Sequence, residues 1–325
     1  MGSGGIGDAV RAAPERALRS SLLALSRRRV LGRVATATPL SRPFVHRFVA
    51  GESLDEALPA LQRLKGAGFR STVDLLGESV TSRDAASAAT DRYVATLDAL
   101  AAGTLDRNVS LKLSQMGMAI DADLARGNLE RIVGHAASVD AFVRIDMEDS
   151  STTDATLALH RRLWAVHQNV GVVIQSALRR SASDVDGLIA DGVRVRLCKG
   201  AYKEPPSIAF ATKPEVDDSY ATLMERLLRE GTYPALATHD ERLIRRAIAV
   251  ARREHVGPDR FEFQMLYGVR RDLQDRLVAA GYTVRVYVPF GREWYPYFMR
   301  RLAERPANVA FLLRSVFRER RGDRA

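Results

Sequence analysis

The sequence predicts a TIM-like (β/α)₈ barrel preceded by a helical arm. Three observations predict it. After Gly51, short β-branched or apolar runs alternate with longer helix-patterned stretches, the runs number eight, and inside several of them charged residues alternate with apolar ones. Strands alternating with helices build a parallel sheet. Eight of them favour closing that sheet over leaving it open and doubly wound, which is the alternative fold. The 325 residues exceed the roughly 250 of a typical barrel of this class, leaving room for an arm.

The arm occupies residues 1–50. From Ala9 to Leu31 it is rich in arginine, alanine and leucine, and Leu18, Leu22, Leu25 and Leu31 follow an approximately helical stripe. A basic amphipathic helix of this kind suits an anionic membrane surface, a transit segment or a cap at the bottom of the domain. Residues 1–47 hold nine arginines against Asp8 and Glu15, so about +7 of the formal +10 lies there and the rest of the chain is near neutral.

The barrel is expected over residues 51–318, with residues 319–325 a flexible tail. Its strands are expected at Thr72–Leu76, Val109–Leu113, Phe142–Met147, Gly171–Gln175, Val193–Cys198, Ala235–Thr238, Phe261–Leu266 and Thr283–Val288. Helix patterns between them include Arg83–Leu100, Thr153–Val166, Val216–Glu230, Asp240–Arg253 and Leu273–Ala279.

Composition narrows the class of protein. With 46% hydrophobic and 27% charged residues, the chain can bury a substantial core. Its one cysteine, Cys198, excludes an intrachain disulfide and a multi-cysteine metal site, and fits a reducing, cytoplasmic compartment. No apolar run reaches the roughly 18 residues that span a bilayer, so membrane contact is expected to be peripheral, on the inner face. The basic charge comes with no signature of an RRM, zinc finger or helix-turn-helix, which argues against nucleic acid as a partner.

Alternation says where the charges point. Ser110, Lys112 and Ser114 oppose Val109, Leu111 and Leu113; Arg144 and Asp146 oppose Val143 and Ile145. Arg194 and Arg196 likewise oppose Val193, Val195 and Leu197, and Arg285 and Tyr287 oppose Val284, Val286 and Val288. A sheet covered by helices is apolar outside, so these charges face into the barrel. The inner face then holds Lys112, Arg144, Arg194, Arg196 and Arg285 against Asp74, Asp146 and Glu262. Three pairs can neutralise one another and about two positive charges remain, which suits a bound anion. Asp74, Arg144, Arg194 and Glu262 precede the strand ends and are assigned to a structural layer, because barrel active sites lie at the C-terminal ends.

Some motifs mislead. Residues 2–7, GSGGIG, match G-x-G-x-x-G, but no strand precedes them, and a flexible leader explains them better. His160 and His167 lie on a helix pattern without a paired carboxylate, which favours packing or surface roles over metal binding. No metal site is expected.

The strand ends are more informative. Lys112 is a lone ammonium in an otherwise apolar strand, either functional or merely paired with Asp146. The segment VRVRLCKGAY, residues 193–202, puts Arg196 and Lys199 beside Gly200, where a ligand can approach the backbone; this suits a phosphate-bearing cofactor. Thr238 and His239 end the sixth strand at a helix start, where backbone N–H groups meet anions, although Asp240 there can simply cap the helix. Tyr297, Arg300 and Arg301 stand at i, i+3 and i+4. They make either a bidentate carboxylate clamp or a solvated basic face partnered by Glu304, and spacing alone favours the second.

Together these segments resemble the proline dehydrogenase family in its short monofunctional bacterial type. The matching stretches are LLGES (Leu75–Ser79), SLKLS (Ser110–Ser114), RIDME (Arg144–Glu148), VVIQS (Val172–Ser176), VRLCKGAY (Val195–Tyr202), ATHD (Ala237–Asp240), FEFQMLYG (Phe261–Gly268), RVYVPFG (Arg285–Gly291) and YFMRRLAER (Tyr297–Arg305). They occur in the family's order from about Gly51 to Phe317.

The resemblance implies a distorted (β/α)₈ barrel with FAD at the strand ends. It implies oxidation of L-proline to Δ1-pyrroline-5-carboxylate by hydride transfer to the flavin, with a membrane quinone as electron acceptor. It further implies that Lys112, Arg300 and Arg301 bind the proline carboxylate while Tyr202, Leu266, Tyr287 and Tyr297 shape the ring pocket. Asp146 and Arg196 look like the family's catalytic pair. Met147, Gln175, Arg196, Lys199, Gly200, Ala201, Thr238 and His239 would contact FAD, and Glu78 would gate the site by pairing with Arg300. The cationic cluster of Lys112, Arg196, Arg300 and Arg301 would also favour the neutral amine needed for oxidation. The competing readings are a hydroxyproline dehydrogenase, which Tyr287 would crowd, a methylenetetrahydrofolate reductase-like barrel, and a non-enzymatic basic scaffold.

Overall fold

A computed structural model describes residues 42–304. Two helices lead in, α1 (Arg42–Phe48) and α2 (Leu54–Gly66), followed by β1 (Arg70–Leu75) and α3 (Arg83–Ala102). Then come β2 (Asn108–Lys112), α4 (Ala122–Ser138), β3 (Phe142–Asp146), α5 (Thr153–Trp164), β4 (Val170–Gln175), α6 (Ser181–Ala190) and β5 (Val195–Cys198). The chain continues with α7 (Lys213–Glu230), β6 (Ala235–Ala237), α8 (Glu241–Arg253), β7 (Glu262–Leu266), α9 (Arg271–Ala279), β8 (Val284–Phe290) and α10 (Trp294–Glu304).

All eight strands are parallel, and β8 pairs with β1, closing the barrel in sequence order. The open doubly wound alternative is therefore excluded. Each expected strand is present, with edges shifted by one or two residues. β8 runs two residues past its expected end, through Pro289 and Phe290, because Asp74 and Leu75 of β1 still lie opposite them.

The core lies between strands and helices. Val73, Val109, Leu111, Val143, Ile145, Val172, Val195, Leu197, Phe263 and Val286 are buried on the outer face of the sheet against the helices. Burial of such aliphatic side chains contributes roughly 1.5–3 kcal/mol each before conformational entropy is set against it. The helices begin where local chemistry directs. Ser82 caps α3 through a hydrogen bond from Ala85 N, Thr212 and Glu215 form a capping box on α7, and Asp240 caps α8 through Arg242 N.

The expected basic helix at Ala9–Leu31 and the tail 319–325 lie outside the described residues. The end of the arm does not sit under the barrel. Val45 and Val49, on and just after α1, pack with Leu76, Trp294 and Tyr297 at the C-terminal mouth, where β1 and β8 end. His160 is a packing residue as expected, buried on α5 and stacked on Trp164.

Candidate active site

The strand register brings the polar residues together. Lys112 on β2 lies beside Asp146 on β3, and Leu266 on β7 beside Tyr287 on β8. Arg196 on β5 reaches across the barrel, donating through Nη1 to Asp146 Oδ1 at 2.6 Å and through Nη2 to Ser110 Oγ at 2.9 Å. Tyr287 donates its hydroxyl to Asp146 Oδ2 at 2.8 Å, with the Arg196 guanidinium 5.3 Å from its ring centroid. Asp146 is thus held from both sides, and a carboxylate with both oxygens committed is fixed in orientation.

Lys112 Nζ faces three carboxylates: Asp74 at 3.3 Å, Glu78 at 3.4 Å and Asp146 at 3.8 Å. Burial works against the ammonium, but Asp74 and its neighbours override that and hold Lys112 well above the ordinary lysine value. Burial, with Asp146 and Glu78 close by, also raises the Asp74 carboxyl despite Lys112. The two directions agree, since three acids crowded around one ammonium raise the proton affinity of the whole group.

This geometry corrects one expectation. Asp74 does not belong to the deep structural layer; it is the nearest partner of Lys112, because β1 ends only one residue beyond it. Of the expected cationic cluster, the described side chains are those of Lys112 and Arg196. Among the described residues, Lys112 and Arg196 are offset by Asp74, Glu78 and Asp146. The three neutralising pairs expected inside the barrel do form, as Lys112–Asp74, Arg196–Asp146 and Arg285–Glu262.

Around this centre, Met147 and Gln175 are buried, and Gln175 donates to the Glu148 carbonyl at 2.7 Å. Lys199 pairs with Asp217 at 2.6 Å and Asp240 at 3.2 Å. Gly200 has φ +105°, and a Cβ there would lie 2.9 Å from Gln175 Oε1; only glycine brings the backbone of Lys199–Ala201 so close to the end of β4. Thr238 is buried and accepts from Asp240 N. His239 Nε2 accepts from Leu266 N at 2.9 Å, which ties β6 to β7. Tyr202 stands 41% exposed after β5, while Tyr297 is buried against α1. Arg300 and Arg301 lie on α10, but their side chains, and with them the Glu78–Arg300 pairing, lie outside the described residues.

Sequence reasoning missed Glu148. Its carboxylate accepts from Ser114 N at 2.9 Å and Ser114 Oγ at 2.6 Å, and Ser114 Oγ in turn accepts from Ser79 N at 3.3 Å. Ser79 has φ +59° and adjoins Glu78, so this chain of bonds ties down the loop that presents Glu78 to Lys112. The available signal was its spacing two residues from Asp146, continuing the same face of the strand.

A set of buried, mutually fixed ionic and phenolic groups at the C-terminal mouth of a (β/α)₈ barrel defines an enzyme of the barrel class with its site where that fold places it. The chain matches the family model described as proline dehydrogenase over residues 57–314. It is 42% identical over 277 residues to the proline dehydrogenase of Deinococcus radiodurans, covering 84% of this chain and 89% of that protein. It is 38% identical over 276 residues to proline dehydrogenase 2 of Bacillus subtilis, covering 85% of this chain and 91% of that protein. Among solved structures, proline utilization A (PutA) from Bdellovibrio bacteriovorus, inactivated by N-propargylglycine, is similar with a TM-score of 0.75 and 27% identity. That match covers 81% of this chain, which spans about a third of the other (32%). The chain belongs to the proline dehydrogenase family. Its activity is that family's, proline oxidation in proline catabolism.

Proposed function

We propose that this enzyme oxidises L-proline to Δ1-pyrroline-5-carboxylate with FAD as its cofactor and passes the electrons to a membrane quinone. The observation that carries the reading is the constellation of Lys112, Asp146, Arg196 and Tyr287, joined by direct contacts at the strand ends.

The residues present fit a flavin nucleotide. Arg196 Nε is buried without a partner, a donor that a heteroaromatic acceptor would satisfy. The bare backbone at Gly200 beside Gln175, with Lys199 next to it, makes a cradle that a Cβ would fill. Met147, Gln175, Arg196, Lys199, Gly200, Ala201, Thr238 and His239 would hold the cofactor. FAD, when bound, supplies the two-electron oxidising chemistry.

The protein supplies position and charge. Lys112 stays protonated and marks where the substrate carboxylate is received, with Arg300 and Arg301 completing the clamp. An arriving carboxylate must displace Glu78 from Lys112, which makes Glu78 the gate of the site. Asp146 and Arg196 form the catalytic pair, Arg196 against the cofactor and Asp146 fixing it there. Tyr287, held by Asp146, bounds the proline ring together with Leu266, Tyr297 and Tyr202. Holding one end of a rigid five-membered ring aims the other, and such orientation accounts for much of what the protein contributes.

The test is flavin absorbance. The purified yellow protein is titrated with L-proline and then with a soluble quinone. Bleaching by proline and recovery with quinone are expected. A colourless protein rejects the cofactor, and a yellow protein that proline leaves unchanged rejects the substrate. Failure of quinone to restore the colour rejects the acceptor.

A further inference from the structure

The charge count inside the barrel closes differently at its two ends. At the C-terminal mouth, among the described side chains, two cations face three carboxylates, as above. At the N-terminal mouth Arg144, Arg194 and Arg285 face Glu262, which Arg285 Nε grips at 2.8 and 3.1 Å. Burial alone would raise Glu262, but Arg285 overrides it and holds the carboxyl down at about 2, and this one carboxylate is shared among three guanidiniums, since it also favours the charge on Arg144 and Arg194. Among the described residues no carboxylate lies within ion-pair reach of Arg144 or Arg194.

Both surplus guanidiniums are built in. Arg144 is 2% exposed. Its Nη1 donates to the backbone carbonyls of Val172 and Arg194, and its Nε has no partner. Arg194 is sandwiched between the rings of Phe142 and Tyr233, 4.4 and 4.6 Å from their centroids, and its Nε is likewise buried without a partner. The rings attract the cation but supply neither an acceptor nor a counter-charge. Burial, then the guanidiniums of Arg196 and Arg194, push Arg144 well below the ordinary arginine value. Arginine nonetheless keeps its proton in proteins, so relief comes from an added negative charge.

There is space for one. A pocket of about 310 Å³ at this mouth is lined by Arg107, Asn108, Asn169, Arg194 and Arg285. Two carboxylates also on its wall are engaged locally, Asp106 with Arg70 at 2.9 Å and Asp140 with Arg107 at 3.2 Å. The Oδ1 atoms of Asn108 and Asn169 are buried without partners, and Asn169 spends its amide on the Val133 and Ala141 carbonyls. The lining thus combines the guanidiniums of Arg194 and Arg285 with the side-chain amides of Asn108 and Asn169, which suits an oxyanion that carries a proton.

We propose that this pocket binds hydrogen phosphate between Arg194 and Arg285, with Arg144 behind them, at the end of the barrel opposite the active site. A guanidinium fork matches a tetrahedral oxyanion, and the protonated oxygen gives the asparagine carbonyls a donor that sulfate lacks. The inference is independent of the proposed cofactor and substrate.

Its test is thermal denaturation of the full-length holoenzyme at constant ionic strength in chloride, sulfate or phosphate. Phosphate is expected to give a saturable rise in Tm of roughly 2–4 °C, sulfate less and chloride none, with the rise lost in Arg194→Gln while proline oxidation persists. A response that follows ionic strength, or is equal in R194Q, overturns the proposal. Should R194Q not fold, crystals of the unaltered protein soaked in arsenate decide. An anomalous peak between Arg194 and Arg285 supports the site, and its absence at saturating arsenate rejects it.

Discussion

Lys112 is surrounded by more negative charge than it can neutralise, and that makes its protonation state a property of its neighbours. Asp74→Asn keeps the shape of the nearest partner and removes its charge. The Lys112 value then falls, and the basic limb of the pH profile for proline KM is expected to move toward neutrality. An unmoved limb would show that Asp74 is only a packing group. Arg300 poses the complementary question. In the proposed clamp a guanidinium engages the carboxylate through two parallel bonds, which an ammonium cannot reproduce. Arg300→Lys is therefore expected to raise KM for proline by roughly tenfold or more, and an unchanged KM in steady-state kinetics removes Arg300 from the clamp. The sequence showed both residues as charges on a pattern. Its placing of Asp74 in a deep layer failed because depth along a strand depends on where the strand ends in the barrel, which alternation does not encode.

Among the elements, α5 carries a pH-dependent joint. His160 is buried on this helix, donates toward the Val170 carbonyl of β4 at 3.4 Å and stacks on Trp164. Burial is the main force holding its imidazole down, at about 4. The folded value lies below the unfolded value of about 6.5, so the unfolded chain takes up the proton first. The contribution to stability is complete above pH 6.5 and is lost as pH falls from 6.5 through 4, up to about 3 kcal/mol in all. Urea midpoints at pH 7 and pH 4.5 check this: the loss should be smaller in His160→Gln than in the parent, and an equal loss excludes His160 as the joint. The helices also show where periodicity runs out. Ala125, Leu129, Ile132, Val133 and Ala136 make the buried stripe of α4, and α6 buries only Ser181, Val185 and Leu188. The short α6 stripe, one polar and two aliphatic residues, is a weak signal, whereas the α4 stripe, with Leu129, Ile132 and Val133, is a legible one.

At the scale of the whole molecule, charge is unevenly spread along the chain. Residues 1–41 carry seven arginines against Asp8 and Glu15, whereas α1, just after them, is packed at the mouth of the barrel. Among the described residues no helix is long and apolar enough to cross a membrane. If the acceptor is a membrane quinone, the basic segment is the part of the chain with the charge to reach an anionic surface, at about 1 kcal/mol per arginine near it. Deleting residues 1–41, which leaves α1 in place, should abolish co-sedimentation with phosphatidylglycerol vesicles at low salt. Retained binding would assign the contact to another surface.

The sequence by itself determined the barrel, its eight strands and the identity of the residues facing its interior, because period-two alternation and the spacing of turns are local properties of the chain. From the strand residues alone it predicted about two more positive charges than negative ones inside; Glu78, on the loop after β1, is a further carboxylate that the strand pattern did not count. Only the tertiary structure decided where they go. Closure of β8 on β1 and the register of the strands put Asp74 and Glu78 with Lys112 at one mouth, and left Arg144 and Arg194 without carboxylates at the other. Side-chain charge is written in the chain, but the distance between charges exists only once the strands are paired.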